Sequence, residues 1–173
     1  EAVKARDFKQ ALTLAGEVRK STKLNQKQDA ELAGLERTAR DQEEKKERAR
    51  TLLRSAEAKL GKYDYDGTLA DLAGGVAASQ DLWSAKDPEP ARFATLKTQA
   101  ETKAKRLKEL LPAIQQAAEG KPVPPADELK KALASADEAK ALQPTNERIA
   151  NYRKLIEQRL AAGEKQNEKI KAA

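Results

Sequence analysis

Apolar positions along this chain recur at helical spacing, and three times over a short segment leads through a polar or proline-containing turn into a longer one. Asp7 is placed to cap a first helix whose stripe is Phe8, Ala11, Leu12, Ala15 and Val18. The stretch from Ser21 to Asn25 lacks the stripe and predicts a turn. Asn25, with Gln28 three residues on, predicts a capping box for the next helix. That helix is expected from Gln26 to Leu60, with Ala30, Leu32, Ala33, Leu35 and Ala39 in one apolar group and Leu52, Leu53, Ala56 and Leu60 in another. Between the groups, Arg40–Arg48 is polar on every face. This predicts a solvated waist, the first half packing on the hairpin before it and the second on the hairpin after. Gly61 is positioned as the residue that closes the helix.

The second short helix, capped by Asp64 or Asp66, carries Leu69, Leu72, Val76 and Leu82 and ends near Trp83. Two glycines in its middle, Gly74 and Gly75, cost about 1–2 kcal/mol relative to alanine and imply close approach of a neighbouring helix backbone. Asp87-Pro88-Glu89-Pro90 opens a long helix through Phe93, Leu96, Ala100, Ala104, Leu107, Leu110 and Leu111, which Pro112 is expected to kink or end. A short helix through Ile114 and Ala117 would then stop at Gly120, and Lys121-Pro122-Val123-Pro124-Pro125 reads as a stiff hairpin loop. Asp127 begins another short helix with Leu129, Ala132, Leu133, Ala136 and Ala139. Gln143–Asn146 turns the chain into a last helix bearing Ile149, Tyr152, Leu155, Ile156 and Leu160. Gly163 and the polar tail after it point to fraying or to continuation of the chain.

The recurrence is visible residue by residue. Asp29–Leu35, Pro90–Leu96 and Asn146–Tyr152 align as entries to the long segments, and Leu14-Ala15-Gly16-Glu17-Val18 is echoed by Leu72-Ala73-Gly74-Gly75-Val76 and faintly by Leu133-Ala134-Ser135-Ala136-Asp137. Repetition of this kind predicts an all-α, elongated helical-hairpin array of about six helices, alternating short and long, with residues 1–173 as a single domain. Ala, Glu, Lys, Leu, Arg and Gln dominate while Val and Ile are scarce, which favours helix over sheet. A core built mainly of Ala and Leu is thin. The chain begins at Glu1 and contains no methionine, as expected of a piece of a larger protein.

Asp7-Phe8-Lys9-Gln10-Ala11-Leu12 resembles the tetratricopeptide pattern of a turn, an aromatic, two polar residues, then alanine and leucine opening a second helix. The run Ala56–Leu69 is similar to the first helix and turn of such a repeat, and Ala136–Asn146 to its closing stretch. The family repeats about every 34 residues, whereas Leu32, Phe93 and Ile149 are spaced by 61 and 56 residues, so units here would be stretched or fused. The resemblance implies a TPR-like α-solenoid with a groove for a peptide or protein, and it transfers no specific binding residue.

Candidate chemistry is sparse. The sequence has neither histidine nor cysteine, which removes the usual nucleophile–base pairs and metal-ligand sets. No enzymatic activity, metal or cofactor is expected. Asp64, Asp66 and Asp71 cluster around a turn and could in principle hold a hard cation, but helix capping accounts for Asp64 and Asp66 without one. Tyr63, Tyr65 and Trp83 stand out in a chain with 3% aromatic residues. They flank the second short helix as core anchors or, alternatively, as a partner-binding hot spot. A net charge of +6, from 34 basic and 28 acidic residues, reads as a solvated helical surface with many ion pairs. The densest basic cluster, Lys103, Lys105, Arg106 and Lys108, is bracketed by Glu101 and Glu109, so neither nucleic acid nor an anionic membrane surface is the expected partner. No apolar run approaches the roughly 18 residues of a membrane span, and no signal peptide is visible. The expectation is a non-enzymatic protein–protein interaction or scaffold module. The alternative is a structural helical spacer or coiled-coil-like connector within a larger protein.

Overall fold

The structure is a computed structural model that describes Val3 and residues 6–172, with side chains except at positions 167 and 169–172. The described residues form six helices and no strand: α1 (Phe8–Ser21), α2 (Gln26–Gly61), α3 (Tyr65–Ser79), α4 (Glu89–Glu119), α5 (Ala126–Leu142) and α6 (Glu147–Ala172). Their lengths of 14, 36, 15, 31, 17 and 26 residues alternate short and long. The chain groups into two compact units, Glu1–Ala100 and Glu101–Ala173, with α4 contributing to each.

Local chemistry sets the helix starts. The Asp7 side chain accepts from the Gln10 amide at 3.1 Å, and Asn25 and Gln28 form the reciprocal capping box. Asp64 Oδ1 accepts from the Gly67 amide at 2.9 Å to cap α3, and Asn146 Oδ1 accepts from the Arg148 and Ile149 amides at the head of α6. The end of α2 differs from expectation. Gly61 is its last helical residue, and the left-handed position falls two residues on at Tyr63, with φ of 63°. The Asp64 amide bonds the Lys59 carbonyl at 3.0 Å and the Tyr63 amide bonds that of Leu60 at 3.1 Å, the Schellman pattern. One residue, Asp64, therefore closes α2 with its amide and opens α3 with its carboxylate.

In the first unit, α1 and α3 both pack on α2, so the long helix does serve two neighbours. The polar waist is not solvated on every face. Buried positions in α2 are Ala39, Lys46, Ala49, Leu53 and Ala56, with Gln42 and Leu60 half-buried, a three-four alternation that passes through the charged stretch. Gln42 and Lys46 occupy seam positions that hydropathy assigns to solvent. The core gathers Ala49, Leu53, Ala56, Leu72 and Phe93, with Trp83 and Leu96 packed against it.

α3 is rotated relative to its expected stripe and ends at Ser79 rather than near Trp83. Its buried face is Tyr65, Thr68, Leu72, Gly75 and Ser79, while Val76 is exposed. Thr68 Oγ1 donates to the Asp64 carbonyl at 2.6 Å and Ser79 Oγ to the Gly75 carbonyl at 2.7 Å. Both hydroxyls are thus satisfied within their own helix, which lets them be buried. The close approach expected of a neighbouring backbone at the glycine pair is instead that of a side chain, Phe93, and only at Gly75. The nearest backbone atom at Gly75, the Ala49 carbonyl oxygen, would lie 3.5 Å from a Cβ. A Cβ there would lie 2.6 Å from Phe93 Cε1, whereas at Gly74 the nearest atom, Leu52 Cδ1, would be at an ordinary 3.5 Å.

In the second unit, α5 packs on α6. Pro112 does not end α4, which continues to Glu119. Pro112 is exposed, so the hydrogen bond it removes faces water, while Ile114, Ala117 and Ala118 beyond it are buried and hold the last turns in place. Adjacent carboxylates on α5 reach different neighbours: Glu138 is bidentate to Arg106 of α4 at 2.6 and 2.8 Å, and Asp137 accepts from Arg153 of α6 at 2.6 Å. Arg159 of α6 donates to the carbonyls of Ala117 and Gly120, satisfying the open end of α4. α6 continues through Gly163 to Ala172, and Ala173 lies outside the described residues.

Candidate functional site

The three aromatic residues singled out from sequence stand at two ends of α3. Tyr63 and Tyr65 are at its head; Tyr65 is 4% exposed and offers a partner almost no surface, while Tyr63 is half-buried in the left-handed turn. Burial, then the neighbouring Tyr63, push the Tyr65 phenol above its ordinary range. Trp83 lies beyond the other end, half-buried against the core, with its Nε1 donating to Ser79 Oγ at 2.9 Å.

Trp83 belongs to a cluster that its sequence neighbours do not announce. Lys46 is 3% exposed, and its Nζ donates to Asp87 Oδ2 at 2.8 Å and to the Arg6 carbonyl at 2.9 Å. The ammonium stands 5.2 Å from the Phe8 ring centroid and 5.4 Å from that of Trp83. Arg6 Nη1 donates to the Trp83 carbonyl at 3.0 Å. Three segments distant in sequence, namely residues 6–8, α2 and the turn at 83–87, therefore meet at one cation. Such a site compensates a buried charge with two hydrogen bonds and two aromatic faces.

The surrounding charges are paired as well. Arg50, whose guanidinium lies 5.6 Å from the Trp83 ring centroid, donates to Glu89 at 2.9 Å and to Glu43 at 3.1 Å. Burial works against its charge, but these carboxylates outweigh burial and raise its pKa further above the ordinary arginine value. Burial pushes the Asp87 carboxyl upward, yet the Lys46 ammonium and the Ser84 amide, at 2.7 Å, hold it below the usual carboxylate range. This is the geometry of a structural junction. Hydropathy reading missed it because a charged residue at a seam position is counted as solvated. The only signal available was the three-four spacing of positions 39, 42, 46, 49, 53 and 56.

The aspartates around 64–71 are engaged locally. Asp64 caps α3, and Asp71 pairs with Lys59 at 2.8 Å. Among the described residues no group of three or more His, Cys, Asp or Glu is arranged to hold a metal ion, and no helix is long and apolar enough to cross a membrane.

Exposed apolar side chains supply the remaining candidate surface. Leu14 and Val18 on α1 are 45% and 40% exposed, and Leu35 on α2 is 53% exposed. Val18 and Leu35 directly precede Arg19 and Glu36, which pair across the two helices at 3.0 Å. Compared with known proteins, the chain matches no family model, no curated protein and no solved structure.

Proposed function

We propose that this chain is a non-enzymatic scaffold that holds a protein or peptide partner on tetratricopeptide-like helical hairpins. The observation that carries the reading is the exposed apolar set Leu14, Val18 and Leu35 along the α1–α2 hairpin, beside the surface ion pair of Arg19 and Glu36 that joins the two helices. These apolar side chains stand outside on the two helices of one hairpin while a lysine is taken inside, and they offer a partner apolar surface to bury. The half-buried Tyr63 and Trp83 would add aromatic contact elsewhere in the same unit. The absence of histidine and cysteine from the sequence, and the engagement of buried charges in structural pairs, support a non-catalytic role. The test compares capture of proteins from an extract by immobilised wild-type chain and by a Leu14→Glu/Leu35→Glu variant with unchanged melting. A partner held by the first and lost from the second is the expected result; identical capture refutes the reading.

The 36-residue α2, shared between α1 and α3, favours a second reading as a helical spacer within a larger protein. That role requires an extended particle, and a frictional ratio typical of compact globules in sedimentation velocity excludes it.

A further inference from the structure

The geometry points to α1, with its lead-in at Arg6 and Asp7, as a cover that docks on α2 and leaves it as a unit, with Lys46 as the latch. The main core of the unit, Ala49, Leu53, Ala56, Leu72 and Phe93, is complete without α1, which adds only Phe8 and Ala15 to the buried interior. Ala11 and Leu12 are half-buried, while Leu14 and Val18 remain exposed rather than strengthening the contact. A helix of 14 residues is marginal alone in water, so its order depends on docking.

That docking is concentrated at the latch. The Arg6 carbonyl and the Phe8 ring close over the Lys46 ammonium, and Arg6 ties the lead-in to the Trp83 carbonyl. The remaining attachments are the small apolar contact of Ala11, Leu12 and Ala15 and the surface pairs of Lys9 with Glu43 and Arg19 with Glu36 and Asp29. Undocking would not orphan the lysine. Asp87 and the Trp83 ring belong to the part that stays, and water replaces the Arg6 carbonyl. The open state is therefore reachable without unfolding the core, as for elements drawn from the low-stability end of a structure. What it uncovers is the α2 face at Ala39, Lys46 and one side of Trp83.

Hydrogen exchange on the full chain tests this. In the wild type, amides of α1 should exchange at least about tenfold faster than those of α3 and residues 49–61, with a weaker urea dependence, because their opening exposes less surface. Lys46→Met should accelerate exchange in α1 by at least about tenfold, on the scale of the lost hydrogen bond to the Arg6 carbonyl and the lost contact with the Phe8 ring. Phe8→Ala alters only the α1 side of the latch and should act in the same direction, which keeps the test decisive if the lysine variant fails to fold. A common rate and urea slope for α1 and α3 in the wild type overturns the proposal. So does a Phe8→Ala variant that leaves α1 exchange unchanged.

Discussion

Replacing the two adjacent glycines of α3 one at a time should change stability in opposite directions. In an exposed helix interior, alanine is favoured over glycine by about 1 kcal/mol, and that gain applies at both positions. At Gly74 the new methyl meets only Leu52 Cδ1 at 3.5 Å, an ordinary contact, so Gly74→Ala should stabilise the unit by about 1 kcal/mol. At Gly75 the methyl would stand 2.6 Å from Phe93 Cε1 and 2.7 Å from Cζ, where carbon atoms prefer about 3.5–4.0 Å. The ring must retreat by about 1 Å, and it is buried among Ala49, Leu53, Ala56 and Leu72. Overpacking of this kind costs about 1–3 kcal/mol, so Gly75→Ala should be neutral to about 2 kcal/mol destabilising after the propensity gain.

Urea unfolding followed by the fluorescence of Trp83, the only tryptophan, reports on the unit that contains both glycines. The two midpoints should separate by about 1–3 kcal/mol with unchanged slopes. Phe93→Leu in the Gly75→Ala background should recover part of the loss, a favourable coupling of at least about 1 kcal/mol in a double-mutant cycle. If Gly75→Ala stabilises as much as Gly74→Ala, the Phe93 ring does not sit against α3 as described, and the account of this core fails.

Acid should weaken the first unit in a defined window. The Lys59 and Ser55 hydrogen bonds hold Asp71 below the usual carboxylate range, and Asp87 is lowered by Lys46 and Ser84 against the upward push of burial. Between the folded value and the unfolded value of about 3.9, the unfolded chain binds more protons. Stability is then complete above about pH 4 and falls as pH drops below it, and Asp87→Asn should flatten that fall in urea midpoints compared at pH 6 and pH 3. Pro112→Ala restores an amide donor to an exposed turn of α4 and should stabilise the chain by about 2–3 kcal/mol. A destabilised variant would show that the proline shapes the contacts of Ile114 and Ala117. Arg159→Met removes both donors from the α4 terminus and should cost about 1 kcal/mol, read as faster amide exchange over residues 147–160; unchanged exchange would remove that cap from the account.

What could be read from sequence was local. Asp7, Asn25 with Gln28, and Asp64 cap helices because their side chains reach amides three residues away, and nothing distant intervenes. The alternation of short and long helices followed from those caps and the intervening prolines. Which face of each helix is buried depends on its neighbours. Thr68 and Ser79 could not be placed inside without knowing that their hydroxyls turn back onto their own helix, nor Val76 outside. Gly61 seemed the obvious left-handed residue, yet the αL position fell on Tyr63, because the turn must let Asp64 finish one helix and begin another. Lys46 was the largest miss, since its burial rests on partners 40 and 41 positions away.

The seam of α2 changes character at that lysine. After it, Ala49, Leu53 and Ala56 meet α3 across positions as small as Gly75, and Ala49 and Ala56 bury little area apiece, so closeness of approach supplies what bulk does not. Before it, the seam holds Ala39 and Gln42, whose Oε1 is buried without a protein donor, and the facing α1 supplies Phe8 and Ala15. An unpaired amide oxygen and a short apolar contact are weak grounds for permanent attachment. The same helix thus carries a tightly specified half and an adaptable half; exposed Leu35 falls on the adaptable half and exposed Leu14 on α1, which packs on α2. If a partner binds there, its contact and the docking of α1 are energetically linked. Ligand affinity should then rise with any substitution that holds α1 down and fall when Lys46 is neutralised.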